Sequence, residues 1–171
     1  GPNVFAGYWR NPQATASAVV DGWLQTGDIA ERDADGFYAI IDRVKDLYVS
    51  GGENVYPAEV EAALSEHPDI LEVAVIGVPD DRWGEAGLAV VVPRAGAALD
   101  VVALQAFCRQ RLAGFKVPRE VLTVEALPRS AVGKVLKTVI RAAHSRPSQT
   151  TAGRASPAHH SAGKTGPREG R

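Results

Sequence analysis

The stretch PRSAVGKVLK, residues 128–137, sets Lys134 directly after a glycine, where the pattern predicts a helix start. Unpaired N–H groups and the helix dipole favour an anion there, so Lys134 is either an anion-binding lysine or a solvated surface one. It is not the lysine of a nucleotide-binding phosphate loop. Pro128 stands where G-x-x-x-x-G-K-[ST] needs its first glycine, and Val135 stands where it needs the magnesium-binding hydroxyl. A second near-match, AHHSAGKT, has Ala158 for the leading glycine and no strand before it. His159 and His160 stand together in that segment without further ligands, which makes no metal site. The single cysteine, Cys108, excludes an internal disulfide and any multi-cysteine metal site. Its apolar surroundings, LQAFCRQRL, predict a packed thiol, not a reactive one.

The elements that hold these residues follow from hydrophobic period and turn chemistry. GWLQTGDIAERDADGFYAIIDRV reads as two strands joined at residues 33–36, because Asp35 and Gly36 supply the positive φ angles of a hairpin turn, and the hairpin ends near Arg43. After the glycines of VSGGENVYP, Pro57 opens the helix PAEVEAALSEHP, with Val60, Ala63 and Leu64 on one face. ILEVAVIGV and GLAVVV are β-branched runs separated by the loop PDDRWGEA. Asp100 is placed to cap VVALQAFCRQRLAG, whose buried stripe is Leu104, Phe107, Cys108 and Leu112 and which Gly114 ends. EVLTVEALP is a further strand, and KVLKTVIRAAH repeats Val135, Leu136, Val139 and Ile140 at helical spacing. Helix, strand, strand, helix, strand, helix over residues 57–144 describes a compact α+β domain.

Composition narrows the function classes. The 171 residues are 45% hydrophobic, enough for a core in one domain or one domain with part of another. Residues 145–171 carry five basic side chains against Glu169 alone, so the net charge of −1 leaves the first 144 residues at about −5. Such a body has no positive excess with which to neutralise phosphates, so no nucleic-acid partner is expected. No apolar run is long enough to span a membrane and no signal-like start is present, which leads to the expectation of a cytoplasmic protein. The 27 residues from Ser145 onward contain no large apolar side chain and are expected to be disordered. The chain contains no Met, from which further sequence upstream is expected; Gly1 and Pro2 fit either a cleavage scar or native sequence.

Five segments, GYWRNPQAT, DGWLQTGDIA, DGFYAIIDRVKD, SGGENVYPAEVE and LPRSAVGKVLK, occur in one order. Together they closely resemble the C-terminal third of AMP-forming acyl-CoA synthetases, within the adenylate-forming superfamily. The resemblance covers roughly residues 1–143 and favours Gly1 and Pro2 as native. It implies an α+β fold: the small C-terminal domain of that superfamily, a short β-sheet flanked by helices, preceded by a β-hairpin from the end of a large AMP-binding domain. The implied boundaries are 1–43 for the end of the large domain, 44–46 for a hinge, 47–144 for the lid and 145–171 for the tail. The rest of the large domain, with its phosphate loop and acyl pocket, is the expected partner.

By resemblance, the whole enzyme couples a carboxylic acid to ATP, releasing pyrophosphate, and then passes the acyl group to the thiol of coenzyme A. Magnesium is expected to be held mainly by the large domain. Asp28 and Arg43 are implied to bind the ATP ribose, through paired carboxylate oxygens and a fork of donors. Lys45 is implied as the hinge, and Lys134 as the adenylation lysine that stabilises charge as pyrophosphate leaves. Gly51, Gly52 and Glu53 are implied to face the pantetheine arm of coenzyme A, and Trp83, Phe115, Lys116 and Arg119 its nucleotide end. The isolated chain is expected to be inactive. Two alternatives stand beside this reading. A peptide-synthetase adenylation unit should continue into a folded carrier domain, which the low-complexity residues after 144 do not provide. A truncated, non-catalytic remnant or binding module accounts equally for a missing large domain.

Overall fold

The computed structural model describes residues 1–144. The expected disordered tail, with AHHSAGKT, His159 and His160, lies outside the described residues.

Two small strand pairs come first. Helix α1 (Pro12–Ala18) is capped by Asn11, whose side chain accepts from the Ala14 N–H at 2.9 Å. β1 (Val19–Val20) pairs with β2 (Trp23–Leu24), so Trp23 and Leu24 leave the strand in which the sequence places them. β3 (Asp28–Arg32) and β4 (Tyr38–Arg43) form the expected hairpin. Its turn is closed by Asp33 Oδ1, which accepts from the Phe37 N–H at 2.8 Å; Gly36 takes a φ of +91°, but Asp35 does not take the positive angle expected of it, so the turn is not the two-residue type that the pair suggests.

Beyond a turn at residues 44–46, β5 (Tyr48–Ser50) and β6 (Glu53–Val55) make a second hairpin. The sequence predicts no strand here, because three-residue runs are too short to show alternation. Gly51 and Gly52 take φ of +61° and +88°, the two positive angles that a two-residue type I′ turn requires. The order over residues 57–144 is then the expected one: α2 (Pro57–Ser65), β7 (Ile70–Asp80), β8 (Gly84–Pro93), α3 (Val101–Arg109), β9 (Glu120–Thr123) and α4 (Lys137–His144), with a 3-10 turn at Gly114–Lys116.

Several bounds differ from expectation, among them that of β9, which covers only the first four residues of EVLTVEALP. The β7–β8 ladder runs to Asp80 opposite Gly84, so the loop shrinks to residues 81–83. Asp80 Oδ1 accepts from the N–H groups of Arg82 and Trp83 at 2.9 and 2.8 Å and tightens the turn. Asp100 caps α3 as expected, accepting from the Ala103 N–H at 2.7 Å, but the helix ends at Arg109 and Gly114 opens the 3-10 turn. α4 begins at Lys137, not Lys134. The chain before it folds back on itself, with the Leu136 N–H on the Pro128 carbonyl at 2.8 Å and Arg129 bridging Val135.

The main sheet has the order β6, β5, β8, β7, with β9 parallel to β8. Alternation along β7 and β8 sends side chains to two cores. Val75, Ala89 and Val91 meet Val60 and Leu64 of α2 and Leu104 and Cys108 of α3. Ala74, Ile76, Val78, Leu88, Val90 and Val92 meet Leu127, from the segment after β9, and Ile140 of α4. Cys108 is buried, as its surroundings predict, and burial pushes its thiol pKa up. Among the described residues, neither core draws on any residue before Tyr48.

Tyr48 joins β5 to this sheet through a gap. Gly77 and Gly87 pair across β7 and β8, and a Cβ on Gly77 would overlap the Cβ of Tyr48, while one on Gly87 would overlap its hydroxyl. The ring is 2% exposed and the hydroxyl has no hydrogen-bond partner among the described residues. Burial, assisted by the charge of Glu85, pushes its pKa above the ordinary 10.0.

Two outcomes are expected. Residues 47–144 should fold cooperatively when produced alone, and limited trypsin treatment of the whole chain should cut first after residue 145 and, among the described residues, at Arg43 or Lys45; early cleavage inside β7 would contradict this division. Tyr48→Phe removes the unpartnered hydroxyl and should raise stability at neutral pH by about 1 kcal/mol in urea unfolding. The alkaline behaviour separates the two proteins further. Unfolded Tyr48 ionises near pH 10 while the folded residue keeps its proton to higher pH, so its contribution is intact below about pH 10 and declines above it, by up to about 1.4 kcal/mol per pH unit. Tyr48→Phe should lack that component, and identical alkaline profiles would refute it.

Candidate functional site

The structure sorts the sequence-predicted residues into three places. At the open end of the β3–β4 hairpin, Asp28 and Arg43 are cross-strand partners, with Arg43 Nε 3.3 Å from Asp28 Oδ1. Both side chains remain partly open to solvent. Lys45 follows in the turn that leads to the lid and is exposed.

The second place is the edge of the sheet where the β5–β6 turn meets the loop between β7 and β8. The Gly51 N–H donates to the Trp83 carbonyl at 2.9 Å, and a Cβ on Gly51 would come within 2.6 Å of the Trp83 ring. The close approach that requires a glycine at 51 is therefore to Trp83. Gly52 faces open space. Trp83 lies between two guanidinium groups, with Arg82 at 4.9 Å and Arg119 at 4.7 Å from the ring centre. Its indole N–H is buried and finds no partner among the described residues. The 3-10 turn carrying Phe115 and Lys116 packs beside β6, which carries Glu53. Lys116 is already committed, with Nζ 2.7 Å from both carboxylate oxygens of Glu59, and Phe115 packs on the first core.

Lys134 occupies the third place, on the turn that precedes α4, and not at a helix N-terminus as the sequence predicts. Gly133 takes a φ of +81°, the Lys134 N–H donates to Ser130 Oγ at 3.2 Å, and the Ser130 N–H donates to the Lys134 carbonyl at 2.8 Å. The lysine is exposed, and its ammonium has no hydrogen bond or ion pair among the described residues. Three residues on, Lys137 Nζ lies 2.6 Å from Glu61 Oε1, which also accepts from the Val75 N–H at 2.7 Å. Burial pushes the Glu61 carboxyl pKa up despite the lowering pull of Lys137.

Sequence reasoning missed Asp42. It is 8% exposed, and its carboxylate accepts from the Arg43 N–H at 2.7 Å and from the Ala58 N–H, in the first turn of α2, at 2.9 Å. A signal was present: α2 opens on Tyr56 and Pro57 with no capping side chain of its own, so a partner had to come from elsewhere. An open depression lined by Tyr8, Trp9, Arg10 and Thr15, among others, shares no residue with the three places. No group of three or more His, Cys, Asp or Glu that could hold a metal ion occurs among the described residues, and no described helix is long and apolar enough to cross a membrane.

Comparison with known proteins places this geometry in a family. Residues 59–134 match the model for the AMP-binding enzyme C-terminal domain. The chain is 52% identical over 141 residues to a feruloyl-CoA synthase of an Amycolatopsis species and, over the same length, 52% identical to the 2-succinylbenzoate–CoA ligase of Geobacillus kaustophilus. Each match takes in 82% of this chain but 29% of the relative, so the chain spans under a third of the length of these curated relatives. Among solved structures, ATP-bound MatB from Rhodopseudomonas palustris is 44% identical and superposes with a TM-score of 0.78 over 84% of this chain and 29% of that one. The apo form of MatB, matched over the same shares at 45% identity, gives 0.61. The matched stretch thus takes two shapes in that relative, and this chain is nearer the ATP-bound one. Residues 59–134 of this chain thus belong to the AMP-binding enzyme C-terminal domain family.

Proposed function

We propose that this chain is the C-terminal segment of an AMP-forming acid:CoA ligase, supplying the ribose contacts, the hinge, the adenylation lysine and the coenzyme A face. The observation that carries this reading is the pairing of Asp28 with Arg43 at the open end of a hairpin that leads directly into the lid. A carboxylate there accepts from two vicinal hydroxyls, and the adjacent guanidinium reaches hydroxyl and phosphate oxygens. The hairpin also carries Phe37, Tyr38 and Ile40 at 73, 72 and 71% exposure, an apolar surface suited to an ATP-binding domain upstream.

In the first half-reaction, a carboxylate oxygen of the acid attacks the α-phosphorus of ATP and the bond to pyrophosphate breaks. Lys134, with no competing carboxylate, places its ammonium against the negative charge that builds there. The lid then pivots at Lys45. In the second half-reaction, the thiol sulfur of coenzyme A attacks the acyl carbon and AMP departs. The open side of Gly52, with Gly51 and Glu53 on the same hairpin, lines the pantetheine arm. Trp83 and Arg119 offer a planar, cationic surface to the nucleotide end, with Phe115 and Lys116 on the neighbouring turn. The two shapes of MatB support a pivot within the matched stretch.

The test joins this segment to an ATP-binding domain and assays the halves separately: acid plus ATP for pyrophosphate, and synthetic acyl-adenylate plus coenzyme A for thioester. Lys134→Ala should slow the first by about 10² to 10³, the loss of one preorganised donor worth about 3–4 kcal/mol, and spare the second. Gly52→Asn should do the reverse, since asparagine tolerates the positive φ while placing a side chain in the open space. Equal slowing of both halves by Lys134→Ala would refute the assignment.

A further inference from the structure

Lys134 has four rotatable side-chain bonds and an ammonium without a partner, so only its backbone can keep it aimed. The turn around it is closed by three backbone donors: Ser130 N–H to the Lys134 carbonyl, Gly133 N–H to the Ser130 carbonyl, and Lys134 N–H to Ser130 Oγ. These bonds hold the turn together but do not attach it to the rest of the lid. Two others do. Leu136 returns to Pro128 through its N–H, behind the lysine. Ahead of it, Arg129 Nη1 donates to the Gly133 carbonyl at 2.6 Å while Nη2 donates to Glu72 Oε2 at 2.7 Å. Glu72 sits on β7, paired with Val92 on β8 next to the register shift between Ile70 and Glu72.

We infer that Arg129 is the positioning residue for Lys134, tying the peptide plane between Gly133 and Lys134 to the sheet through one planar guanidinium. This rests on the adenylation role proposed for Lys134. The Gly133 carbonyl lies in the same rigid peptide plane as the Lys134 nitrogen and Cα, so holding that oxygen in place restricts how the lysine backbone can swing away from the sheet. A positive φ at Gly133 leaves the plane with little restraint of its own. The two anchoring bonds need donors spread across a fixed fork, which a single ammonium lacks, so lysine at 129 does not substitute. Arg129 and Glu72 are partly solvent-exposed, and a pair of that kind adds little to global stability. Its effect is on where Lys134 points.

The activity test uses the segment joined to an ATP-binding domain. Arg129→Ala and Arg129→Lys should each lower kcat for pyrophosphate release by about 10- to 100-fold, with KM for ATP and thioester formation from acyl-adenylate unchanged. Because Arg129 acts through Lys134, adding Arg129→Ala to Lys134→Ala should cost less than about twofold more. A further large loss in that double variant, or a raised KM for ATP, shows that Arg129 touches substrate or supports the fold and overturns the inference. No loss from Arg129→Ala alone overturns it as well. If Lys134→Ala leaves adenylation intact, the proposed role of Lys134 fails first, and the tether is judged by hydrogen exchange on the 171-residue chain. There, Arg129→Ala should speed exchange of the Ser130, Gly133 and Lys134 amides by at least about tenfold while Ile76 and Val90 stay protected. Unchanged exchange in the turn overturns the tether itself.

Discussion

Burial of the β7–β8 ladder on both faces is the constraint on which the rest of the lid depends. A two-stranded ribbon with a dry core on each side must be covered twice, by α2 and α3 on one face and α4 on the other. Each helix brings a candidate residue with it. α2 places its uncapped N-terminus where Asp42 can reach it, the segment after α3 delivers Arg119 to Trp83, and α4 fixes where the Lys134 turn must end. The gap at Gly77 and Gly87 extends the same logic to β5. Tyr48 fills it, and the chain leaving residues 44–46 is pinned to the sheet within two residues.

Charge is distributed in keeping with that frame. Lys116, Arg111, Arg129 and Lys137 pair with Glu59, Glu66, Glu72 and Glu61, so four of the ten Lys and Arg side chains of residues 47–144 bind carboxylates of the same segment. Exposed pairs of this kind contribute roughly 0–1 kcal/mol each, so their consequence is geometric more than energetic. Lys137 with Glu61 is the most enclosed, at 17 and 22% side-chain exposure, and it fixes the first residue of α4. Lys134, three residues earlier, is left without a carboxylate among the described residues, which suits the anion-facing role proposed for it.

Element type and order over residues 57–144 were legible because each element is long enough to show its period: Val60 and Leu64 in α2, the β-branched runs of β7 and β8, Leu104 and Cys108 in α3. Where local signals compete, reading failed. Val135, Leu136, Val139 and Ile140 fit one helical face, yet the bridge between Arg129 and Val135 and the bond from Leu136 to Pro128 hold the first two outside the helix. The β5–β6 hairpin was hidden because its glycines resemble any loop until their φ angles are known. The candidate residues were visible by type and motif, whereas Asp42 and Arg129 were not. Asp42 works through a backbone N–H sixteen residues away, and the Arg129 tether runs to a glutamate 57 residues away, neither of which leaves a local pattern.

Asp42 also sets the terms of any pivot at Lys45. Its carboxylate lies before the turn at residues 44–46 and the helix it caps lies after, so the bond to the Ala58 N–H spans the hinge proposed there. The rotation proposed at Lys45 would strip α2 of the side-chain cap that Asp42 provides and leave that carboxylate with the Arg43 N–H among the described residues. Losing a charged hydrogen bond of this kind costs about 1–3 kcal/mol. That penalty is large enough to favour one arrangement before any ligand arrives. It is also small enough to be reversed by a ligand that binds the other arrangement ten- to a hundredfold more tightly, roughly 1.4–3 kcal/mol. The hinge proposed here, poised within that range, would respond to which substrate is bound, whereas a deeper well would hold one arrangement whatever was bound.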